Sequence, residues 1–184
     1  FAQTGKSVLI INGDLRNPSL QRELGLPNDI GLTSHLAGDT LLSEIVVKTE
    51  IQNLYAITTG PLPPNPAELL SSPKMQEAVS KLSNKFDLVI IDSPPVLGLA
   101  DSLVLANVSE ATIMVVDSGA TRTGALEGSL IRLRRARANL VGALLTKHDQ
   151  GGASDYGYDY NYSYGYGGDV DEDDLDEEPR RQLA

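Results

Sequence analysis

The chain has 184 residues, enough for one globular domain of roughly 150 residues followed by a tail. Its formal net charge is −10, concentrated in the tail, and a mildly acidic body argues against nucleic acid as a general electrostatic partner. There is no cysteine, which excludes a disulfide framework and fits a reducing compartment, and no apolar run approaches the ~20 residues that a membrane-spanning helix needs.

Phe1 opens almost directly into a strand pattern with no signal-like segment, and a chain beginning at Phe rather than Met is expected to be a fragment or a processed form. Gly5-Lys6-Ser7 imitates the end of a phosphate-binding loop, G-x-x-x-x-G-K-[ST]. That loop follows a strand and opens a helix, whereas this triplet lacks the earlier glycine and runs into a strand, so it reads as a turn. The first apolar run, residues 7–11, leads into Asn12-Gly-Asp14-Leu-Arg16-Asn-Pro18: a strand delivering an acid, then an arginine, then a turn-making proline. Helical patterns follow at 19–24 and 41–47, then a strand at 54–58. In 67–82 the set Leu69, Leu70, Met75, Val79 and Leu82 recurs at roughly helical spacing, with Pro73 placed to break or restart the helix. A strand at 88–91 delivers Asp92 ahead of Ser93-Pro94-Pro95. A helix at 101–107, a strand at 111–116, a helix at 121–138 and a strand at 140–145 complete the series, which ends in Thr146-Lys147.

The five apolar runs do not alternate, which is the pattern of strands covered on both faces, as in a parallel sheet. Strands alternating with helices imply βαβ units and a three-layer α/β domain. In such sheets ligands bind at the carboxyl ends of the strands. A lone carboxylate there, such as Asp92, commonly serves Mg²⁺, a hard ion that prefers oxygen ligands and keeps several of its waters. The alternative is that Asp92 caps the following turn. Asp14 and Asp92 on two strand ends can share one metal and its bridging phosphates. Arg16 either adds a charge-assisted donor to the same rim or pairs with some carboxylate at the surface. His35 and His148 stand without a Cys or His partner at ligand spacing. The helix at 121–138 carries Arg122, Arg132, Arg134, Arg135 and Arg137, either an ordinary solvated face or a surface for an acidic partner.

Beyond residue 149 the pattern collapses into Gly, Tyr, Asp and Ser. Tyr156, Tyr158, Tyr160, Tyr162, Tyr164 and Tyr166 occupy every second position among small and polar residues. Such spacing offers little to a packed core but suits an array of phosphoacceptor hydroxyls on a polar leash. An acidic run from Asp169 to Glu178 follows. Both segments read as disordered, or ordered only on docking, and a solubilising low-complexity end is the plainer alternative.

Four segments together resemble the cytoplasmic domain of bacterial tyrosine autokinases (BY-kinases), the family that governs synthesis and export of capsular and extracellular polysaccharide. They are Val8–Pro18, which is similar to the family's second Walker A-like element (A′); Gly60-Pro-Leu-Pro-Pro64-Asn-Pro66-Ala-Glu68; Phe86–Leu97 with its Walker B aspartate; and the tyrosine cluster. The resemblance implies a P-loop fold of the deviant-Walker kind shared with partitioning-type ATPases, with ATP and Mg²⁺ as cofactors. It divides the chain into a partial kinase domain (1–149), a phosphoacceptor tail (150–168) and an acidic tail (169–184). It implies Asp14 and Asp92 as catalytic and metal-site acids, Arg16, Thr146 and Lys147 around the nucleotide, and the six tail tyrosines as acceptors. It further implies a ring of identical subunits that phosphorylate one another's tails. A membrane adaptor, fused or separate, would place the protein at the inner face of the cell membrane.

Three departures from the family pattern matter. No Walker A loop stands in the sequence, and a chain without one is expected to bind ATP poorly and transfer little. The family's acid two positions before Asp14 is Asn12 here, which cannot take a proton at neutral pH. Thr146 also stands where the family tends to have Asn. A partitioning-type ATPase switch and a catalytically impaired remnant are the competing readings. The tyrosine array and the segment 60–68 speak against the switch.

Overall fold

A computed structural model describes residues 1–148. The tyrosine array and the acidic run lie outside the described residues. After a 3₁₀ turn at Ala2–Thr4, the elements are β1 (Val8–Asn12), α1 (Leu20–Glu23), α2 (Leu32–Ala37), β2 (Val47–Lys48), β3 (Leu54–Ile57) and α3 (Pro66–Leu70). They continue with α4 (Pro73–Ser83), β4 (Leu88–Asp92), α5 (Asp101–Val108), β5 (Thr112–Asp117), α6 (Thr123–Arg135) and β6 (Leu140–Thr146). Four strands form a mixed sheet in the order β2-β3-β1-β4, in which β1 runs parallel to both neighbours. Val8 pairs with Leu54 on one side and Leu88 on the other, and the β1–β4 register ends at Asn12 opposite Asp92.

The main core forms where the central strand is covered on both sides. Leu9 and Ile11 of β1 are fully buried and share a cluster with Ile57 of β3, Leu70 of α3, and Met75 and Leu82 of α4. Pro73 starts a new helix rather than kinking one, as its fixed φ and missing N–H favour at a first helical position, with Ser72 as its cap. Gly5 adopts φ +89° and closes the 3₁₀ turn, so Gly5-Lys6-Ser7 is a turn leading into β1. Ser7 donates from both its N–H and its hydroxyl to Asp87 Oδ2, each at 2.8 Å, and these bonds hold the Asp87 carboxyl below its ordinary pKa.

Three points depart from the sequence reading. Residues 41–47 do not form a helix. One turn closes at Glu44, and the β-branched run Ile45-Val46-Val47 then extends into β2, antiparallel to β3. A helix not expected from the sequence, α2, lies instead at Leu32–Ala37 between two glycines, with Leu32 and Leu36 buried one turn apart. The third point concerns coverage. β5 and β6 pair with each other in a separate two-stranded parallel sheet, whose Ile113 and Val115 are 62% and 63% exposed, as are Val141, Leu144 and Leu145 in large part. A small second core of Ala106, Met114 and Leu133 covers one face only. Continuous hydrophobicity told the strand identity correctly but not which faces the described residues cover.

Gly31 bears on the site because it sits where α2 meets the end of β3. A Cβ there would strike the Thr58 carbonyl, the Gly60 nitrogen and the Thr59 carbonyl carbon, all of them backbone. Its φ is −173°, ordinary extended backbone, so the requirement is space alone. Gly31→Ala is expected to destabilise the protein by about 1–3 kcal/mol, the usual cost of overpacking. An unchanged chemical-denaturation midpoint would refute this.

Candidate active site at the carboxyl ends of β1 and β4

Because β1 and β4 run parallel and in register, their last residues deliver the A′ and B segments to the same place. The Gly13 N–H donates to the Asp92 carbonyl at 2.7 Å, so the chain leaving β1 hugs the end of β4. A side chain at Gly13 would lie 2.7 Å from Leu105 Cδ1 and 2.8 Å from the Asp92 carbonyl oxygen, which is why this approach takes glycine.

Asp14 follows at once, and its carboxylate orders the loop. Asp14 Oδ1 accepts the N–H groups of Arg16 (3.0 Å) and Asn17 (2.9 Å), the turn that a short acidic side chain makes with its own backbone. Asn12, fully buried, accepts the Asp14 N–H through Oδ1 at 3.2 Å and donates through Nδ2 to Gln21 Oε1 at 3.4 Å. Asn12 therefore shapes the loop from below. The Thr59 hydroxyl, at the end of β3, reaches the Asp14 carbonyl at 3.4 Å.

Asp92 makes no ion pair among the described residues. Although the residue as a whole is exposed, partial enclosure of its carboxyl, and after that the negative charge of Asp14, hold its pKa above the ordinary carboxylate value. Asp92 ends β4 and Asp14 lies two residues past β1, close enough for its charge to act on Asp92, so the two carboxyls constitute an anionic site. As a donor set it suits a hard divalent cation whose other ligands are waters or phosphate oxygens. Among the described residues no group of three or more His, Cys, Asp and Glu gathers as a metal cage. Such a cage is not what Mg²⁺ requires.

Arg16 lies on the rim, and the carboxylate pairing left open by the sequence is present. Its Nε donates to Asp101 Oδ2 at 2.7 Å and its Nη2 to Asp101 Oδ1 at 3.2 Å. The hydrogen bond to Asp101 raises the Arg16 pKa further, against partial desolvation, with Asp101 and Asp14 adding attraction. Arg16 also lines a cavity of about 390 Å³ with Pro64, Asn65, Pro66, Ala67 and Glu68, which brings the proline-rich segment to the same rim. That segment is fixed at its start. The Thr33 hydroxyl lies 2.8 Å from both the Thr59 and Pro61 carbonyls, and Asn28 exchanges two hydrogen bonds with the Gly60 backbone.

Thr146 and Lys147 stand elsewhere, at the end of the β5–β6 sheet. Thr146 pairs in register with Asp117, and Lys147 Nζ lies 2.7 Å from Asp117 Oδ2. This partner raises the Lys147 pKa, and the residue itself holds φ +53°. No hydrogen bond or ion pair among the described residues joins them to Asp14, Arg16 or Asp92. Asp101 was the residue that sequence reasoning missed. Its only signal was an acid at the first position of a helix, which ordinarily marks a favourable helix dipole and nothing more.

The mostly parallel sheet with flanking helices is a P-loop-type fold, shared with the solved structures it resembles, and residues 1–138 match the family model described as "AAA domain". The tyrosine-protein kinase YwqD of Bacillus subtilis is 38% identical over 158 residues, which cover 86% of this chain and 67% of that protein. The solved kinase domain of the Escherichia coli tyrosine kinase Etk superposes with a TM-score of 0.80 at 32% identity, over 88% of this chain and 63% of that one. The chain belongs to the bacterial tyrosine-protein kinase family. The MinD protein of Pyrococcus horikoshii, solved with Mg-ADP, is more distant: its TM-score is 0.65 at 25% identity, over 78% of this chain and 59% of that one. Other kinase relatives are far longer, and the chain spans 22% of the Wzc kinase of Salmonella typhimurium.

Proposed function

We propose that this chain carries the A′ and B parts of an ATP- and Mg²⁺-dependent tyrosine autokinase site, with Asp14 and Asp92 as the metal-site acids. The observation that most supports the reading is the β1–β4 register, which ends at Asn12 opposite Asp92, with Asp14 two residues further on and its charge acting on the Asp92 carboxyl, at the strand ends where parallel sheets bind ligands. Bound Mg²⁺ would supply charge neutralisation to the phosphates of ATP, the larger part of what phosphoryl transfer asks of a protein. Asp14 and Asp92 would hold it, and Arg16 would offer its remaining N–H groups to an anionic oxygen at the rim. Thr146 and Lys147 are assigned to the nucleotide on resemblance alone.

A tyrosine's free pKa is about 10, so its proton leaves late and needs a nearby acceptor or orienter. Asn12 is buried and already committed at both ends of its amide, which leaves Asp14 as the carboxylate of the A′ loop for that task. The acceptors in this reading are Tyr156, Tyr158, Tyr160, Tyr162, Tyr164 and Tyr166 of a neighbouring subunit in a ring. Each phosphoryl group adds roughly −1.5 to −2 charges beside an already acidic segment, so heavy phosphorylation would drive such a ring apart. Polysaccharide export is the process implied, through a membrane adaptor at the inner face of the cell membrane. Among the described residues no helix is long and apolar enough to cross a membrane.

The likeness to MinD supports a second reading, an ATPase switch that hydrolyses ATP without labelling itself. Incubating the protein as its gene encodes it with γ-labelled ATP and Mg²⁺ separates the two. The kinase reading expects alkali-stable label on tail tyrosines; nucleotide hydrolysis with no label would leave the switch.

A further inference from the structure

Asp101 opens α5, outside the A′ and B segments, and its side chain is completely buried. A buried carboxylate is costly unless its oxygens are hydrogen-bonded. Here both oxygens face one residue, Arg16, through Nε at 2.7 Å and Nη2 at 3.2 Å. This is the forked geometry in which arginine, unlike lysine, fixes its own orientation on a carboxylate. The backbone N–H of the same Arg16 is one of the two donors that hold Asp14 Oδ1. A single buried anchor therefore governs two things: where the Arg16 guanidinium stands at the cavity rim, and how the loop 14–17 closes on Asp14.

We propose that Asp101 is a positioning residue for this site: its buried carboxylate clamps the Arg16 side chain and, through the Arg16 main chain, sets the direction in which Asp14 presents its free oxygen. The inference rests on the reading of the Asp14–Asp92 end as a divalent-cation and nucleotide site. It adds a residue from α5, outside both the A′ and B segments, to the machinery. A purely architectural Asp101 would stabilise the fold and leave the cation site alone.

The test compares the wild-type protein with Asp101→Asn, Arg16→Gln and the double variant. Three quantities are read: amide exchange at Arg16 and Asn17, Mn²⁺ affinity from water-proton relaxation, and KM for MgATP against kcat in tyrosine labelling. Asp101→Asn is expected to speed exchange at both amides and to weaken Mn²⁺ binding about 10-fold, the lower end of what removing an orienting partner costs a metal site. KM should rise by a similar factor with a smaller change in kcat. The double variant should be no worse than the worse single, since both changes cut one link. Unchanged exchange and Mn²⁺ affinity in Asp101→Asn, or effects that simply multiply in the double variant, would overturn the inference. Should Asp101→Asn fail to fold, Asp101→Glu keeps the charge but displaces it by one methylene. It is expected to lose Mn²⁺ affinity several-fold, and an affinity equal to wild type would again overturn the proposal. Absence of tyrosine labelling in the wild type, with the exchange and Mn²⁺ effects present, would refute the kinase reading and leave the role of Asp101 standing.

Discussion

Asp92→Asn is expected to reduce tyrosine labelling by about 100-fold or more, in line with the loss of one preorganised electrostatic group from a transition state, while making the protein more stable at neutral pH. The two effects have one cause. The Asp92 carboxyl is partly desolvated and faces the charge of Asp14, and both raise its pKa. For an acid, a folded-state pKa above the unfolded value means that ionisation is harder in the folded protein. The unfolded state then releases its proton first as pH rises, so the wild type loses stability between the unfolded and the folded pKa and stays lower above both. Asparagine removes that loss. The stabilisation by Asp92→Asn should therefore be full at pH 7 and fade as pH falls through the carboxylate range, where wild-type Asp92 is protonated. Melting curves of both proteins from pH 3 to 8 check it. A variant that melts at or below the wild type at pH 7 would show that Asp92 is not under electrostatic stress.

Gly13→Ala is expected to lose about 1–3 kcal/mol of stability, the usual range for forcing an extra carbon into a packed site, and to cut labelling at least 10-fold beyond what unfolding explains. The added Cβ meets the Leu105 side chain at 2.7 Å and the Asp92 carbonyl oxygen at 2.8 Å. Leu105 can shift; the carbonyl belongs to a strand paired along its whole length and cannot follow easily. The strain would be relieved by lengthening the 2.7 Å bond from the Gly13 N–H to Asp92, which is the link between the A′ and B segments. A displacement of an ångström at such a junction is enough to cost much of the rate. Activity per folded molecule, with the folded fraction taken from the same urea titration, is the decisive measurement. If it equals the wild-type value, the approach of the two loops is not functionally tight.

Much of this arrangement was legible in the sequence because it is local. A short apolar run bounded by polar residues marks a strand and its carboxyl end, and the five runs matched five of the six strands within a residue or so. Pro73 marked its boundary through its own ring, and the Gly5 turn through the absence of a helix after it. The helix expected at 41–47 failed where two local tendencies compete: Leu41 and Leu42 stand one helical turn before Ile45, but the run Ile45-Val46-Val47 is β-branched. The pairing of β2 with β3 decided it. α2 was missed because six residues between glycines carry too little periodicity to detect.

By itself the sequence determined that Asp92 ends a strand, that Asp14 and Arg16 follow the end of another, and which family the chain resembles, since all of these are encoded within a few residues. Only the tertiary structure decided that Asn12 faces Asp92 in register, that Gly13 must be small, and that Arg16 is held by Asp101 from a helix far along the chain. It also decided that β5 and β6 form a sheet apart, with one face left open among the described residues. The reason is physical: residue spacing specifies periodicity and turns, whereas strand order, the burial of a single carboxylate and the partner that satisfies it depend on contacts between segments that no local pattern records.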